Sequence, residues 1–342
     1  MYTNKKKTEI FISNEERMFI NILFKDHNLK KEEFDLLNYD ILVKIVSSHL
    51  MLPSLYVNLK EKNYLKYIPN NLNSYLREIY DLNQKRNEIL LKEVKTLEDL
   101  LTKNKIDHVF LKGTANIIAG IYSDFGERML GDIDILVKNS DKQRVIGLMN
   151  RSGFNFISDY DFFETIHLNK QIHNKNLFAV EIHLKLLHSK NKLLRSEAML
   201  ENKIRRSDIF IPNYLFQLMH NIYNYQINDK GFENLSYSYR SIYDTFLILK
   251  KINNIEIDPN IYLNRYFMIL NELNIPITNL LKFKIIKLDR FRFRLKKTNK
   301  FYSKLENYFL KIVNFLKTKP YKVIIFLTNK NYRKFIMAKY YN

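Results

Sequence analysis

The feature that most constrains this chain is an Asp-x-Asp pair, Asp132 and Asp134, at the start of the apolar run Ile135-Leu136-Val137 and directly after Gly131. An apolar run of this length bounded by glycine reads as a buried strand. Side chains alternate along a strand, so both carboxylates project to the same side. Two adjacent carboxylates repel each other unless a cation lies between them. The pattern therefore points to a divalent metal site, most naturally Mg²⁺ acting on a phosphate-bearing substrate, with Mn²⁺ as its substitute.

The surrounding sequence supplies a framework for that pair. Ile106 to Leu111 reads as a strand ending in Lys112-Gly113, and Thr114 to Tyr122 then reads as a helix. A strand, a glycine turn and a helix start present backbone N–H groups to a phosphate. The polar segment Ser123 to Arg128 leads into the Asp132–Val137 strand, and Asp141 to Ser152 reads as a helix closed by Gly153. Phe154 to Ile157, Thr165 to Leu168 and Leu177 to Leu184 read as further strands, giving a mixed sheet with an antiparallel portion. In the last of these, Glu181 and His183 share one face while Val180, Ile182 and Leu184 share the other. Glu181 is either on an exposed edge or a third carboxylate facing the aspartates, as metal ligand or general base. His183 is either structural or catalytic.

Helical periodicity dominates elsewhere. Ser13 to Glu16 has the form of a capping box, Tyr39 to Leu59 is apolar with Pro53 as the start of a new helix, and Leu72 to Lys103 is one long amphipathic pattern. Helices return from Pro212, where His220 and Asp244 either reach the cleft or tie two of them together, the second being the expectation. The expected organisation is α+β. A helical region spans 1–104, a small mixed-sheet core 105–190, a second helical region packed on that core 191–280, and a basic amphipathic tail 281–342.

The net charge of +20 is unevenly spread: residues 281–342 hold 18 Lys and Arg against two acids, leaving only +4 for the first 280 residues. The tail alternates cations with aromatic and aliphatic residues, a pattern suited to RNA, to an anionic membrane surface, or to helices packing on the core. There is no cysteine, so disulfides, thiolate zinc sites and cysteine nucleophiles are excluded. The N-terminus does not resemble a signal peptide and no apolar run approaches the ~20 residues that span a bilayer. A cytoplasmic protein is expected, either free or peripheral at the membrane.

Three chemistries place Asp-x-Asp on a metal. In many glycosyltransferases and in haloacid-dehalogenase phosphatases the pair ends an apolar strand, whereas here it opens one. The order glycine turn, helix, Asp-x-Asp strand and later acidic strand resembles the polymerase-β-like nucleotidyltransferase superfamily. In detail, Val109-Phe110-Leu111-Lys112-Gly113, Ile121 to Arg128, Gly131 to Val137 and Val180-Glu181-Ile182-His183 resemble the bacterial nucleotidyltransferase family NTP_transf_5, over about Ile20 to Lys250. The resemblance implies an enzyme that moves a nucleoside monophosphate from ATP or another NTP to a hydroxyl acceptor. It implies that Asp132, Asp134 and Glu181 hold Mg²⁺, that Gly113 cradles phosphate, and that Lys112 and Arg128 neutralise it. The acceptor is a small molecule, a glycan precursor, a peptide or RNA. An inactive scaffold that binds nucleic acid or a membrane surface, and a metal-dependent glycosyltransferase, are the alternatives.

Overall fold

The computed structural model describes residues 12–25, 28–156, 166–188, 193–253, 257–276 and 283–341. Ile157 and Thr165, expected ends of two strands, lie outside them. The N-terminal third is helical: α1 (Asn14–Phe24), α2 (Lys31–Asp35), α3 (Tyr39–Ser48), α4 (Leu52–Glu61) and α5 (Asn70–Lys103). Ser13 caps α1 by accepting from the Glu16 N–H at 3.1 Å. Pro53 sits in the first turn of α4, where its missing N–H costs nothing.

The core that follows is built from β1 (His108–Phe110), α6 (Lys112–Ile118), β2 (Asp132–Val137), α7 (Lys142–Arg151), β3 (Asn155–Phe156), β4 (Gln171–Ile172) and β5 (Ala179–His183). The five strands form one mixed sheet in the order β1-β2-β5-β4-β3. β1 runs antiparallel to β2, β2 runs parallel to β5, and β4 runs antiparallel to both β5 and β3. β2 and β5 are therefore neighbours inside the sheet, and β5 is not an exposed edge. Ile133, Ile135, Val180 and Ile182 are fully buried, which explains why both strands read as apolar runs. The α+β expectation is met, with helical regions before and after the sheet along the chain.

After α8 (Ser196–Glu201), the chain forms a hairpin of β6 (Lys203–Arg206) and β7 (Ile209–Pro212) that the helical reading of 191–280 does not contain. Ser207 and Asp208, the two turn residues, both have positive φ (47° and 62°), as a tight two-residue hairpin requires. Ser-Asp replaces the usual Asn-Gly signal, so periodicity alone does not reveal it. The remaining helices are α9 (Tyr214–Tyr223), α10 (Gly231–Asn234), α11 (Tyr239–Leu249), α12 (Ile261–Glu272), α13 (Lys287–Thr298), α14 (Lys300–Thr328) and α15 (Lys330–Tyr341). α13 is anchored on α12 by Asp289 with Arg265 at 2.6 Å, and by Arg290 and Arg294 with Glu272, each at 2.6 Å. Among the described residues no single helix is long and apolar enough to cross a membrane.

Candidate active site

The parallel pairing of β2 and β5 sets Asp134 opposite Glu181, with Asp132 one step before at the level of Ala179. Side-chain alternation then puts Asp132, Asp134, Glu181 and His183 on one face of the sheet. Asp134, Glu181 and His183 are all buried, and one donor atom from each lies within 4.8 Å of the others. A set of two carboxylates and an imidazole with this spacing is compatible with one metal ion.

Two lysines and the histidine balance the carboxylates. Lys112 donates to Asp134 Oδ1 at 2.6 Å, and its ammonium is 4.0 Å from Glu181. Lys170 bridges Asp132 at 2.7 Å and Glu181 at 3.0 Å. His183 Nε2 donates to Asp134 Oδ1 at 2.7 Å and lies 3.7 Å from Glu181, while its buried Nδ1 has no hydrogen-bond partner among the described residues. Burial works against the charged form of Asp134, but the Lys112 ammonium and the His183 hydrogen bond hold its pKa far below the usual carboxylate range. Glu181 is likewise lowered, against the effect of burial, by His183 and Lys170. Both are ionised at neutral pH. Burial pulls Lys112 and Lys170 down, yet their carboxylate partners raise both, so both remain cations.

The Lys112-Gly113 turn brings the first of these lysines into place. The N–H of Leu111 donates to the Asp134 carbonyl at 2.9 Å, stitching the end of β1 to β2 beside the carboxylates. Lys112 then adopts φ +52°, a left-handed conformation that costs a non-glycine residue roughly 1–2 kcal/mol. Gly113 packs against Leu130 so closely that a Cβ would sit 2.1 Å from its Cδ2. A side chain at this position would have to displace the Leu130 side chain.

Arg128 takes a different position from Lys112. Its guanidinium is buried and donates to Asp244 on α11, from Nη2 at 3.0 Å and from Nε at 3.2 Å, while Tyr122 donates to the same carboxylate at 2.7 Å. Asn83 and Asn87 of α5 donate to the Arg128 carbonyl at 3.1 and 2.8 Å, and to the carbonyls of Gly126 and Phe125. These two asparagines, within a helix read only for its apolar positions, hold the irregular segment before β2. Their signal in the sequence is their placement four residues apart on the buried face. His220 and Asp244 do not bond to each other. The link between α9 and α11 is Asn221, whose amide donates to the Ser241 carbonyl and to Thr245 Oγ1, both at 2.8 Å.

Beside Lys112 a cavity of about 80 Å³ opens between α6, α9 and α11, lined by Lys112, Gly113, Arg128, His220, Asn224 and Arg240 among others. Arg240, half-buried, makes no hydrogen bond or ion pair with the described residues. Burial and the nearby Arg128 charge lower its pKa, yet a guanidinium stays protonated. His220 Nε2 is buried without a partner, and burial drops its pKa to about 3, so the ring is neutral. Lys170 and Arg240 are the site residues that sequence reasoning missed; neither belongs to a recognisable motif.

No curated protein matches the chain significantly. The sequence profile of NTP_transf_5, described as an uncharacterised nucleotidyltransferase, matches residues 36–259, which include the whole sheet, its carboxylate face and the helices lining the pocket. With about two thirds of its length matched in this way, the chain belongs to the NTP_transf_5 nucleotidyltransferase family.

Proposed function

We propose that this protein transfers a nucleoside monophosphate from an NTP to a hydroxyl-bearing acceptor. The observation that carries the reading is the register of β2 on β5, which sets Asp134 beside Glu181 on the face that also bears Asp132. Asp132, Asp134 and Glu181 would hold Mg²⁺ or Mn²⁺, which would supply positive charge to the phosphates and to the attacking oxygen. The buried group of Asp134, Glu181 and His183, with one donor atom from each within 4.8 Å of the others, fits such an ion, and its imidazole favours Mn²⁺ more than a purely carboxylate site would.

The chain's own groups account for the rest. The acceptor oxygen bonds to the α-phosphorus as the bond to the bridging oxygen of the β-phosphate breaks, and pyrophosphate leaves. Glu181, ionised at neutral pH, receives the acceptor proton. Lys112 sits between the carboxylates and the pocket, placed to follow the negative charge that builds on the leaving phosphates. Arg240 supports the same role better than Arg128, because its guanidinium is not already committed to a carboxylate. Gly113 contributes close backbone approach at the pocket wall.

The test is incubation of the full chain with each α-labelled NTP, a divalent ion and cell extract, followed by fractionation of the label. Label on a macromolecule or small acceptor, absent with Asp134→Asn, is the expected result. Turnover of a UDP-sugar instead of an NTP would replace this reading by glycosyl transfer. NTP binding without any transfer would leave a non-catalytic scaffold.

A further inference from the structure

Helix α14, the last but one of the chain, lies outside the family match and has its own physical character. Its 29 residues span about 44 Å at 1.5 Å per residue. Phe301, Leu305, Tyr308, Ile312, Leu316 and Val323 recur at helical spacing along one stripe and are between 41% and 75% exposed. Lys300, Lys304, Lys311 and Lys322, separated by four, seven and eleven residues, follow one flank of that stripe and are exposed. The opposite side is docked: Glu306 is buried and paired with Arg292 at 2.7 Å and Lys296 at 3.2 Å on α13. The stripe therefore faces outward because the helix already uses another face for packing.

Charge decides what covers it. Beyond Glu306 the chain has eight Lys and Arg and no Asp or Glu. A second copy would meet the stripe with the same lysines at its flanks and no acid to pair with them, contrary to what stabilises paired helices. Single-stranded RNA would satisfy the lysines and stack on the exposed Phe301, Tyr308, Phe309 and Phe315, but Leu305, Ile312, Leu316 and Val323, interleaved with them, offer it no ring. Hydrocarbon accepts branched aliphatics and aromatics alike, and anionic headgroups accept lysines along the edge. We infer that α14 lies on an anionic lipid surface, with its apolar stripe at the acyl boundary and its lysine flank on the headgroup phosphates.

The experiment is co-sedimentation of the full chain with vesicles of phosphatidylcholine alone or mixed with phosphatidylglycerol, at low and raised salt. Binding to the mixed vesicles, weakened by salt and largely absent from phosphatidylcholine alone, is expected. A triple variant, Leu305→Asp, Ile312→Asp and Leu316→Asp, should remain in the supernatant while its thermal melt matches the parent, since all three side chains are exposed. Lys300→Gln, Lys304→Gln and Lys311→Gln should each weaken binding by up to about fivefold. Equal sedimentation with both vesicle types, or undiminished binding by the triple variant, would overturn the assignment. So would displacement from vesicles by single-stranded RNA, or concentration-dependent dimerisation that the triple variant abolishes.

Discussion

Two buried clusters of charge lie on either side of the Lys112-Gly113 turn, and they are organised on opposite principles. Arg128 is matched locally: its guanidinium meets one carboxylate, Asp244, and Tyr122 completes it. Glu127 next door is surrounded by neutral donors, accepting from Tyr243 at 2.5 Å and Asn58 at 3.1 Å. On the sheet face, Glu181 stands within reach of Lys112, Lys170 and His183, each of which also pairs with Asp134 or Asp132, so that none of the three has a single partner. A closed pairing resists change and suits a structural strut. A shared, exchangeable set of charges is what a site needs if it is to admit a cation and a polyphosphate without breaking the fold.

This contrast can be broken by substitution. Asp134→Asn should remove at least about a thousandfold of transfer activity, because it deletes a negative charge where the proposed ion and reacting phosphate meet, while the melt stays near that of the parent. An active Asp134→Asn protein would place the chemistry elsewhere. On the structural side the expectation reverses. Asp244→Ala leaves the Arg128 guanidinium buried without its partner and should cost about 4 kcal/mol in denaturant unfolding. A loss below about 1 kcal/mol would show that Arg128 is free to serve as a phosphate ligand after all.

Glu127 sharpens the comparison through pH. Burial, aided by the Glu61 charge and opposed by the Tyr243 hydrogen bond, raises its pKa from 4.5 to about 7. The folded state thus binds a proton that the unfolded chain releases between pH 4.5 and 7. Stability from this group is present below its unfolded pKa and is lost as pH rises through that window, by about 3.5 kcal/mol in total. Glu127→Gln, which keeps an acceptor for Tyr243 and Asn58, should flatten this slope and be more stable than the parent at pH 8. Parallel stability–pH curves for the two proteins would contradict the assignment. The smallest effect is expected at Lys170, whose ammonium is partly exposed between Asp132 and Glu181. Lys170→Gln removes a competing cation and should tighten Mn²⁺ binding by up to about tenfold in calorimetry. Unchanged affinity would mean that the ion does not approach those two carboxylates.

Local sequence determined a definite part of this molecule. The strand Asp132–Val137 follows from its apolar run and glycine boundary, and the alternation of side chains is enough to put Asp132 with Asp134 and Glu181 with His183. The long α5 helix and the break at Pro53 are equally local. Only the tertiary structure decided that β5 enters beside β2, in parallel and with Asp134 opposite Glu181, because register depends on the path of the intervening chain. The same holds for Lys170 between two acids, for Asp244 claiming Arg128 from 116 residues away, and for Asn83 and Asn87 gripping the segment before β2. A periodic pattern tells which side of a strand or helix a residue occupies. What stands opposite is fixed by packing, and here that choice sets Asp134 beside Glu181 and pairs Arg128 with Asp244 at the wall of the pocket.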